Sequence, residues 1–231
     1  MRNRSIPAAL VALLACLALV ACGDDDSGGS DGADTGQGET AAEPQACKEV
    51  EAPPVKDTEF KKAGKTISKG DKASVVVTTN CGEFTIELDT KKAPKTANSF
   101  AFLAEEGFYD NTVFHRIVPG FVIQGGDPGG TGDQPGTGGP GYQVEEEPPD
   151  STAYTEGIVA MAKAGNEPPG TSGSQFYVVT GADAGLPPEY AIVGKVTDGQ
   201  DVVDQIGALG DATTEQPTQT VVVQEMKLEQ G

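Results

Sequence analysis

Residues 114–127 read FHRIVPGFVIQGGD, and this stretch carries the most information about the fold and chemistry of the chain. It places Arg116, Phe121 and Gln124 between two strand-like runs, ahead of a glycine-rich segment. An arginine beside apolar residues and an amide can polarise a neutral group without removing a proton from it. The pattern therefore indicates chemistry on an amide that uses no nucleophile. His115 is the single histidine and lies in no recognisable nucleophile motif, so we expect it to be structural.

Composition and charge limit both the packed domain and its partners. All Phe and Tyr residues, 8 and 5 in number, lie from Phe60 onward, so the sequence predicts a domain over residues 60–231. That length, roughly 170 residues, is enough for a single core. The net charge is −19, from 35 acidic and 16 basic side chains. Such a charge repels phosphate backbones and excludes nucleic-acid binding.

The N-terminus has the pattern of an export signal. Arg2 and Arg4 precede an apolar run, and small residues then lead to Cys22. A charged start, a short apolar middle and small residues before a cleavage site are typical of a signal peptide, here residues 1–21. A cysteine directly after the small residue resembles a bacterial lipoprotein signal. We therefore expect Cys22 to be lipidated and the protein to be extracytoplasmic, held to the bacterial cell membrane only through that lipid anchor.

Residues 22–59 are predicted to be an acidic linker. The segment after Cys22 is mainly Gly, Asp, Ser and Thr and has no large apolar side chain, so burial cannot offset its conformational entropy. Cys47 and Cys81 remain once the other two cysteines are assigned to the signal and the anchor. Outside the cytoplasm such a pair favours a disulfide, and the alternative is two free thiols. No metal site is expected, because two cysteines and a distant histidine lack zinc spacing.

The rest of the sequence alternates short β-rich runs with two helical patterns. The hairpin is predicted at 73–79 and 83–88, and helices at 95–106 and 200–206. Further strands are predicted at 112–118, 121–125, 156–162, 175–180, 191–197 and 220–228, with residues 126–141 forming a loop. Many short strands and few helices favour a mainly β closed structure, either a barrel or a sandwich.

Four segments resemble the cyclophilin family of peptidyl-prolyl cis-trans isomerases. They are FHRIVPGFVIQGGD, GIVAMAKAG at 157–165, GSQFYVV at 173–179 and LPPEYAIVGKV at 186–196. The resemblance extends from about Ala73 to Leu228. It implies a closed eight-stranded antiparallel β-barrel with two capping helices.

The same resemblance implies roles for individual residues. Arg116 matches the catalytic arginine, Phe121 the floor of the proline pocket, and Gln124 the glutamine beside the substrate backbone. The substrate-binding positions are Val122, Ala162, Lys163, Gln175, Tyr177, Leu186 and Tyr190.

The implied function is isomerisation of X–Pro bonds in exported proteins, by a monomer without a cofactor or covalent intermediate. Three positions depart from the familiar pattern. Lys163 stands where Asn is more familiar, Tyr190 where many members have His, and Gly185 where cyclosporin-sensitive members carry Trp. We therefore expect weak cyclosporin binding. The departures also leave open a lipid-anchored module that binds proline-containing segments with little turnover.

Overall fold

The computed structural model of the chain describes residues 46–146, 148 and 153–231. The predicted signal peptide, the lipidation site Cys22 and the linker up to residue 45 lie outside these residues. Within them, the helices are α1 Pro94–Glu105 and α2 Gln200–Gly207. The strands are β1 Ala73–Thr79, β2 Gly82–Leu88, β3 Thr112–Val113, β4 Arg116–Val118, β5 Val122–Gly125, β6 Val144–Glu145, β7 Ile158–Met161, β8 Thr171–Ser172, β9 Phe176–Val179, β10 Ile192–Asp198 and β11 Val222–Gln230.

Strand β1 shows how local sequence sets the sheet. Its side chains alternate between buried and half-buried, so Val75 and Val77 point into the core while their neighbours face outward. β1 pairs with β2 through the tight turn at Asn80 and Cys81, with Thr79 opposite Gly82. Because side chains alternate with a period of two, this register places one apolar row of each strand on the same face. The predicted hairpin is confirmed.

The main sheet of the described residues has nine strands in the order β3-β11-β1-β2-β10-β7-β9-β5-β4. The mainly β fold is thus confirmed, but the expected count of eight strands is not. The run predicted at 112–118 is split, because the N–H of Phe114 donates to Val221 whereas the N–H of Ile117 donates to Glu215. The two edge strands, β3 and β4, are consecutive in the chain, and a single antiparallel bridge joins Val113 to Asp127 just after β5. The sheet therefore curls, and residues 114–115 join its two edge strands.

The two helices pack on different strands. α1 begins with Pro94, whose missing N–H costs nothing at a helix start, and ends before Gly107 at φ 64°. It packs against β10 and β11, and α2 packs against β2, β4 and β5. Phe100 of α1 and Ile206 of α2 are both fully buried in one core with the inward faces of the strands. In the described part of the chain, neither helix has the length and apolar character needed to span a membrane.

Residues 46–60, here called the strap, also pack on this domain. Cys47 and Cys81 are joined by a disulfide at the β1–β2 turn. Farther along, the ammonium of Lys56 donates to the carbonyls of Gly107, Phe108 and Asp110, each at 2.8 Å. The packed domain therefore includes residues that come before the boundary predicted at residue 60. Composition alone did not reveal this, because backbone and lysine hydrogen bonds attach the strap.

The predicted loop at 126–141 is irregular in the structure, and the strap lies against it. The N–H of Lys56 donates to Pro128 at 2.9 Å, and the N–H of Phe60 donates to Pro140 at 2.7 Å. From inside, the buried carboxylate of Asp127 accepts the N–H of Gly129 at 2.7 Å and of Gly136 at 2.6 Å. The loop is thus hydrogen-bonded on both sides. Beyond it, β6 pairs with β8 in a small second sheet that the sequence did not predict.

Candidate active site

The hairpin of β4 and β5 places Arg116 directly opposite Gln124. The turn between the strands contains Gly120 at φ 69°, a left-handed conformation that glycine adopts without steric cost. Ile117 and Ile123, one position inward on each strand, are fully buried in the main core. Because side chains alternate across the sheet, Arg116 and Gln124 must both face outward. Their pairing is a direct consequence of the hairpin register.

This outward row continues across the neighbouring strands. Gln124 lies opposite Tyr177 of β9, and Tyr177 lies opposite Ala160 of β7. On the inner face the equivalent row is Ile117, Ile123, Val178 and Val159, all fully buried. The site is therefore built on the outer face of β4, β5, β9 and β7, while the main core fills the inner face.

One half of the site is a chain of polar contacts. The Nε of Arg116 donates to the carboxylate of Glu215 at 2.6 Å, and an η nitrogen lies 3.4 Å from the Gln124 carbonyl oxygen. The Gln124 amide donates to Gln175 at 3.1 Å. Gln175 in turn donates to the carbonyl of Gly138 in the glycine-rich loop at 2.8 Å. Five separate segments thus fix the direction of these side chains.

The guanidinium of Arg116 remains accessible to a ligand. Its side chain is 33% exposed and its central carbon lies 5.9 Å from the centre of the Phe121 ring. The hydrogen bond and positive charge of Arg116 hold the pKa of Glu215 below its usual value of 4.5, so this carboxylate is ionised at neutral pH. Arginine itself stays protonated and presents several N–H donors in a rigid plane. The site therefore offers a fixed cationic donor next to an aromatic ring.

The other half of the site is apolar. Val122 and Tyr177 are buried in a second cluster outside the barrel core, and Phe121, Leu186 and Ala162 pack against it half-buried. The Tyr190 ring lies edge-on to Tyr177, with 5.7 Å between ring centres. A half-exposed apolar surface beside a polar chain suits a small apolar ring attached to a peptide backbone.

Tyr177 carries a buried hydroxyl for which the described residues provide no hydrogen-bond partner. Burial raises the pKa of this phenol, so it stays neutral. The neighbouring Tyr154 differs, because its hydroxyl donates to the Tyr190 carbonyl at 2.9 Å and accepts the Tyr190 N–H at 3.0 Å. Tyr154 thereby fixes the backbone that carries the Tyr190 ring. Tyr154 is absent from the predicted site residues, since nothing in the neighbouring sequence marks a buried tyrosine as a support for the site.

Lys163 lies at the far side of this cluster. Its side chain is only 4% exposed, and its ammonium lies 3.1 Å from a Glu189 carboxylate oxygen and 5.6 Å from the centre of the Tyr190 ring. It also donates to the Glu167 carbonyl at 3.3 Å. The positive charge is therefore largely neutralised by its neighbours. Lys163 supports the Tyr190 side of the site instead of projecting a free cation.

His115 precedes Arg116 in the sequence and takes no part in the chain of polar contacts. It is 6% exposed, and neither ring nitrogen has a hydrogen-bond partner among the described residues. Burial lowers the pKa of the imidazole from 6.5, outweighing the Asp127 charge that raises it, and Arg116 lowers it further. A neutral, enclosed imidazole is suited to packing and not to proton transfer.

All ten predicted site positions thus lie on one outer face of the barrel, in a polar half and an apolar half. Glu215, like Tyr154, is absent from the predicted site residues, because it lies 99 residues from Arg116 along the chain. In the part of the chain that the structure describes, no group of three or more His, Cys, Asp or Glu side chains is arranged to hold a metal ion. The arrangement can bind an apolar ring and place a cationic donor beside its amide.

Comparisons with known proteins agree with this geometry. Residues 74–228 match the family model for cyclophilin type peptidyl-prolyl cis-trans isomerases. A peptidyl-prolyl cis-trans isomerase-like 1 from Gibberella zeae is 38% identical over 151 residues, which cover 65% of this chain and 91% of that protein. The corresponding protein of Neurospora crassa is 41% identical over 150 residues, covering 64% and 90% of the two chains.

Solved structures show the same relationship. The crystal structure of a cyclophilin type peptidyl-prolyl cis-trans isomerase from Cryptosporidium parvum has a TM-score of 0.62 and 32% identity, covering 69% of this chain and 99% of that one. A second structure of that protein, in the presence of the dipeptide Ala-Pro, has a TM-score of 0.61 and covers 68% and 99%.

Proposed function

Because the chain belongs to the cyclophilin-type peptidyl-prolyl cis-trans isomerases, we propose that Arg116 drives catalysis by donating a hydrogen bond to the prolyl nitrogen of a twisted X–Pro bond. The observation that carries this proposal is the pairing of Arg116 with Gln124 across the β4–β5 hairpin, beside the apolar cluster around Phe121. The donor and the ring-binding surface are thereby held by the same hairpin.

The physics of the X–Pro bond explains why a donor at this position accelerates rotation. Resonance stiffens the C–N bond and gives a barrier of about 18–20 kcal/mol. Twisting the bond ends the resonance and leaves a lone pair on a pyramidal nitrogen. A guanidinium directed at that nitrogen binds the twisted state better than either planar isomer, and this difference lowers the barrier. Each 1.4 kcal/mol of preferential binding gives about a tenfold rate increase.

The remaining side chains hold the two ends of the bond. Phe121, Val122, Tyr177 and Leu186 form the apolar surface on which the proline ring would rest. Gln124 is fixed by Arg116 on one side and Gln175 on the other, so its amide can steady the carbonyl side of the substrate. No step requires a covalent intermediate or a proton transfer. That a relative was solved in the presence of Ala-Pro supports proline-containing peptides as substrates.

The test is cis/trans exchange of a short X–Pro peptide, measured by exchange NMR with the chain 22–231 carrying Cys22→Ser. We expect Arg116→Ala to lower kcat/KM by about a hundredfold, the size associated with loss of one preorganised donor. Arg116→Lys should recover little, because an ammonium lacks the guanidinium plane. Full activity of Arg116→Ala would contradict the mechanism. Absence of exchange by the unmutated chain, with peptide binding intact, would instead favour a proline-binding module.

We further propose that this isomerase acts on exported proteins from a lipid anchor at Cys22. The support is the sequence of residues 1–23, a charged start and an apolar run ending in Leu-Val-Ala-Cys-Gly. Expression of the full chain in a bacterium with a labelled fatty acid tests it. The chain should carry the label and sediment with membranes, and Cys22→Ala should lose the label. Label on Cys22→Ala, or an unlabelled full chain, would overturn the anchor.

A further inference from the structure

Glu215 makes the shortest of the contacts to Arg116. Its carboxylate accepts the Nε hydrogen at 2.6 Å, whereas Gln124 lies 3.4 Å from an η nitrogen on the other side of the guanidinium. The group is thereby held at two separate points. Because Glu215 occupies Nε, the η nitrogens are the ones left to meet a substrate in the groove.

The backbone around Glu215 is built to hold it in place. Glu215 has φ 59°, a conformation that is sterically unfavourable for a residue with a side chain. The carboxylate of Asp211 accepts the N–H groups of Thr213 and Thr214 at 2.9 and 2.8 Å, and the N–H of Glu215 donates to the Asp211 carbonyl at 2.8 Å. A tight turn over residues 211–215 therefore fixes the residue in its unfavourable conformation.

The same turn is attached directly to the strand that carries the arginine. The carbonyl of Glu215 accepts the N–H of Ile117 at 3.0 Å, and Ile117 follows Arg116 in β4. Backbone and side chain of Glu215 thus contact two consecutive residues of one strand. A residue that served only to complete the turn would need the backbone contact alone.

We propose that Glu215 is a positioning residue for the isomerase, which aligns the Arg116 guanidinium with the prolyl nitrogen before substrate binds. This inference rests on the proposed role of Arg116. An arginine side chain has many rotamers, and fixing it in advance removes an entropic cost from the transition state. The exposed carboxylate contributes by direction more than by strength, since exposed ion pairs are weak.

The positive φ of Glu215 makes glycine the substitution that tests this role without straining the backbone. Glycine adopts positive φ without strain, so Glu215→Gly removes the carboxylate while relieving the backbone. Asn111→Gly is the matched control, because Asn111 is exposed, has φ 56° and lies outside the polar chain of the site. Glu215→Gln keeps an acceptor oxygen and removes the charge. Urea unfolding midpoints of all three variants report on folding.

Exchange kinetics on the X–Pro peptide then separate the outcomes. We expect Glu215→Gly to lower kcat by about three- to tenfold with little change in KM, because the lost alignment acts in the transition state. Glu215→Gln should lie between Glu215→Gly and the unmutated chain, and Asn111→Gly should be unchanged. In the Arg116→Ala background, Glu215→Gly should have no further effect on kcat.

Two results would overturn the inference. Unchanged kcat in Glu215→Gly would show that the contact only closes the turn, and increased kcat would show that the carboxylate competes with substrate for the arginine. Failure of the underlying mechanism gives a different pattern, since Arg116→Ala alone would then retain full activity. A loss in Arg116→Ala with no loss in Glu215→Gly would leave the mechanism standing and remove only the positioning role.

Discussion

The buried hydroxyl of Tyr177 leads to a prediction whose sign is unusual for a core substitution: Tyr177→Phe should stabilise the protein. Tyr177 is 4% exposed, its hydroxyl oxygen is sealed from solvent, and the described residues offer it no partner. Folding therefore removes this hydroxyl from water without replacing its hydrogen bonds. A buried polar group left in this state costs about 1–3 kcal/mol.

The expected gain follows from two opposing terms. Phenylalanine recovers the desolvation cost of the hydroxyl, but it loses the van der Waals contacts of one oxygen atom, each worth about 0.1–0.2 kcal/mol. The free energy of unfolding should therefore rise by about 0.5–2 kcal/mol. For a domain of this size, 1 kcal/mol shifts the Tm by about 2–4 °C. Activity should be retained, because the ring still completes the apolar surface of the site.

A matched substitution elsewhere in the core should have the opposite sign. Tyr109 is also fully buried, but its hydroxyl donates to the Ser174 carbonyl at 3.1 Å. Tyr109→Phe removes that donor and leaves a buried carbonyl unsatisfied, so it should cost about 1–2 kcal/mol. Urea unfolding of both variants measures the two changes. Destabilisation by Tyr177→Phe comparable to that of Tyr109→Phe would contradict this prediction, since it would reveal a partner for the Tyr177 hydroxyl.

Two other predictions concern His115 and the strap. The pKa of His115 is lowered from 6.5 by burial, so the unfolded chain takes up a proton at a higher pH than the folded chain does. The stabilisation that comes from the neutral His115 should therefore be fully present above pH 6.5 and be lost as the pH falls toward the pKa of the folded state. His115→Phe should remove this part of the pH dependence of the Tm. An unaltered pH dependence in that variant would contradict the prediction. Lys56→Met should lower the free energy of unfolding by about 1–2 kcal/mol, because three backbone carbonyls lose a charged donor. Lys61 is exposed, so the control variant Lys61→Met should change the free energy of unfolding little. Equal effects of the two lysine variants in urea unfolding would show that the strap contact contributes nothing.

The fold was largely predictable because its signals are local. The alternation in β1, the break at Asn80 and Cys81, and the helical spacing of α1 depend on residues a few positions apart. The split between β3 and β4 was not predictable, because it depends on two acceptors, Val221 and Glu215, about a hundred residues away. The strap was missed for a similar reason, since a lysine that contacts three distant carbonyls has no periodic pattern.

The site also combines residues that the local sequence indicates with residues that it does not. Arg116, Phe121 and Gln124 fall in one continuous motif, so the sequence can indicate all three together. Glu215 contacts Arg116 and Tyr154 contacts Tyr190, each from a distant segment, and each is chemically ordinary in its own surroundings. Resemblance to a family predicts which residues meet the substrate. It does not predict the contacts by which a particular chain holds those residues in place.

The glycine-rich loop at 126–141 connects the polar half of the site to the strap. The glycine-rich loop supplies the Gly138 carbonyl to Gln175, and Gln175 directs Gln124 toward Arg116. The loop has few side chains of its own to pack, so its position depends on Asp127 from within and on the strap from outside. The strap in turn is fastened by Lys56 and by the disulfide at Cys47. The direction of the Gln124 amide therefore depends on a segment whose composition resembles a linker. A chain that begins after residue 60 should bind an X–Pro peptide more weakly than the chain 22–231 and should unfold at a lower urea concentration. Equal peptide binding by the two chains would contradict this dependence.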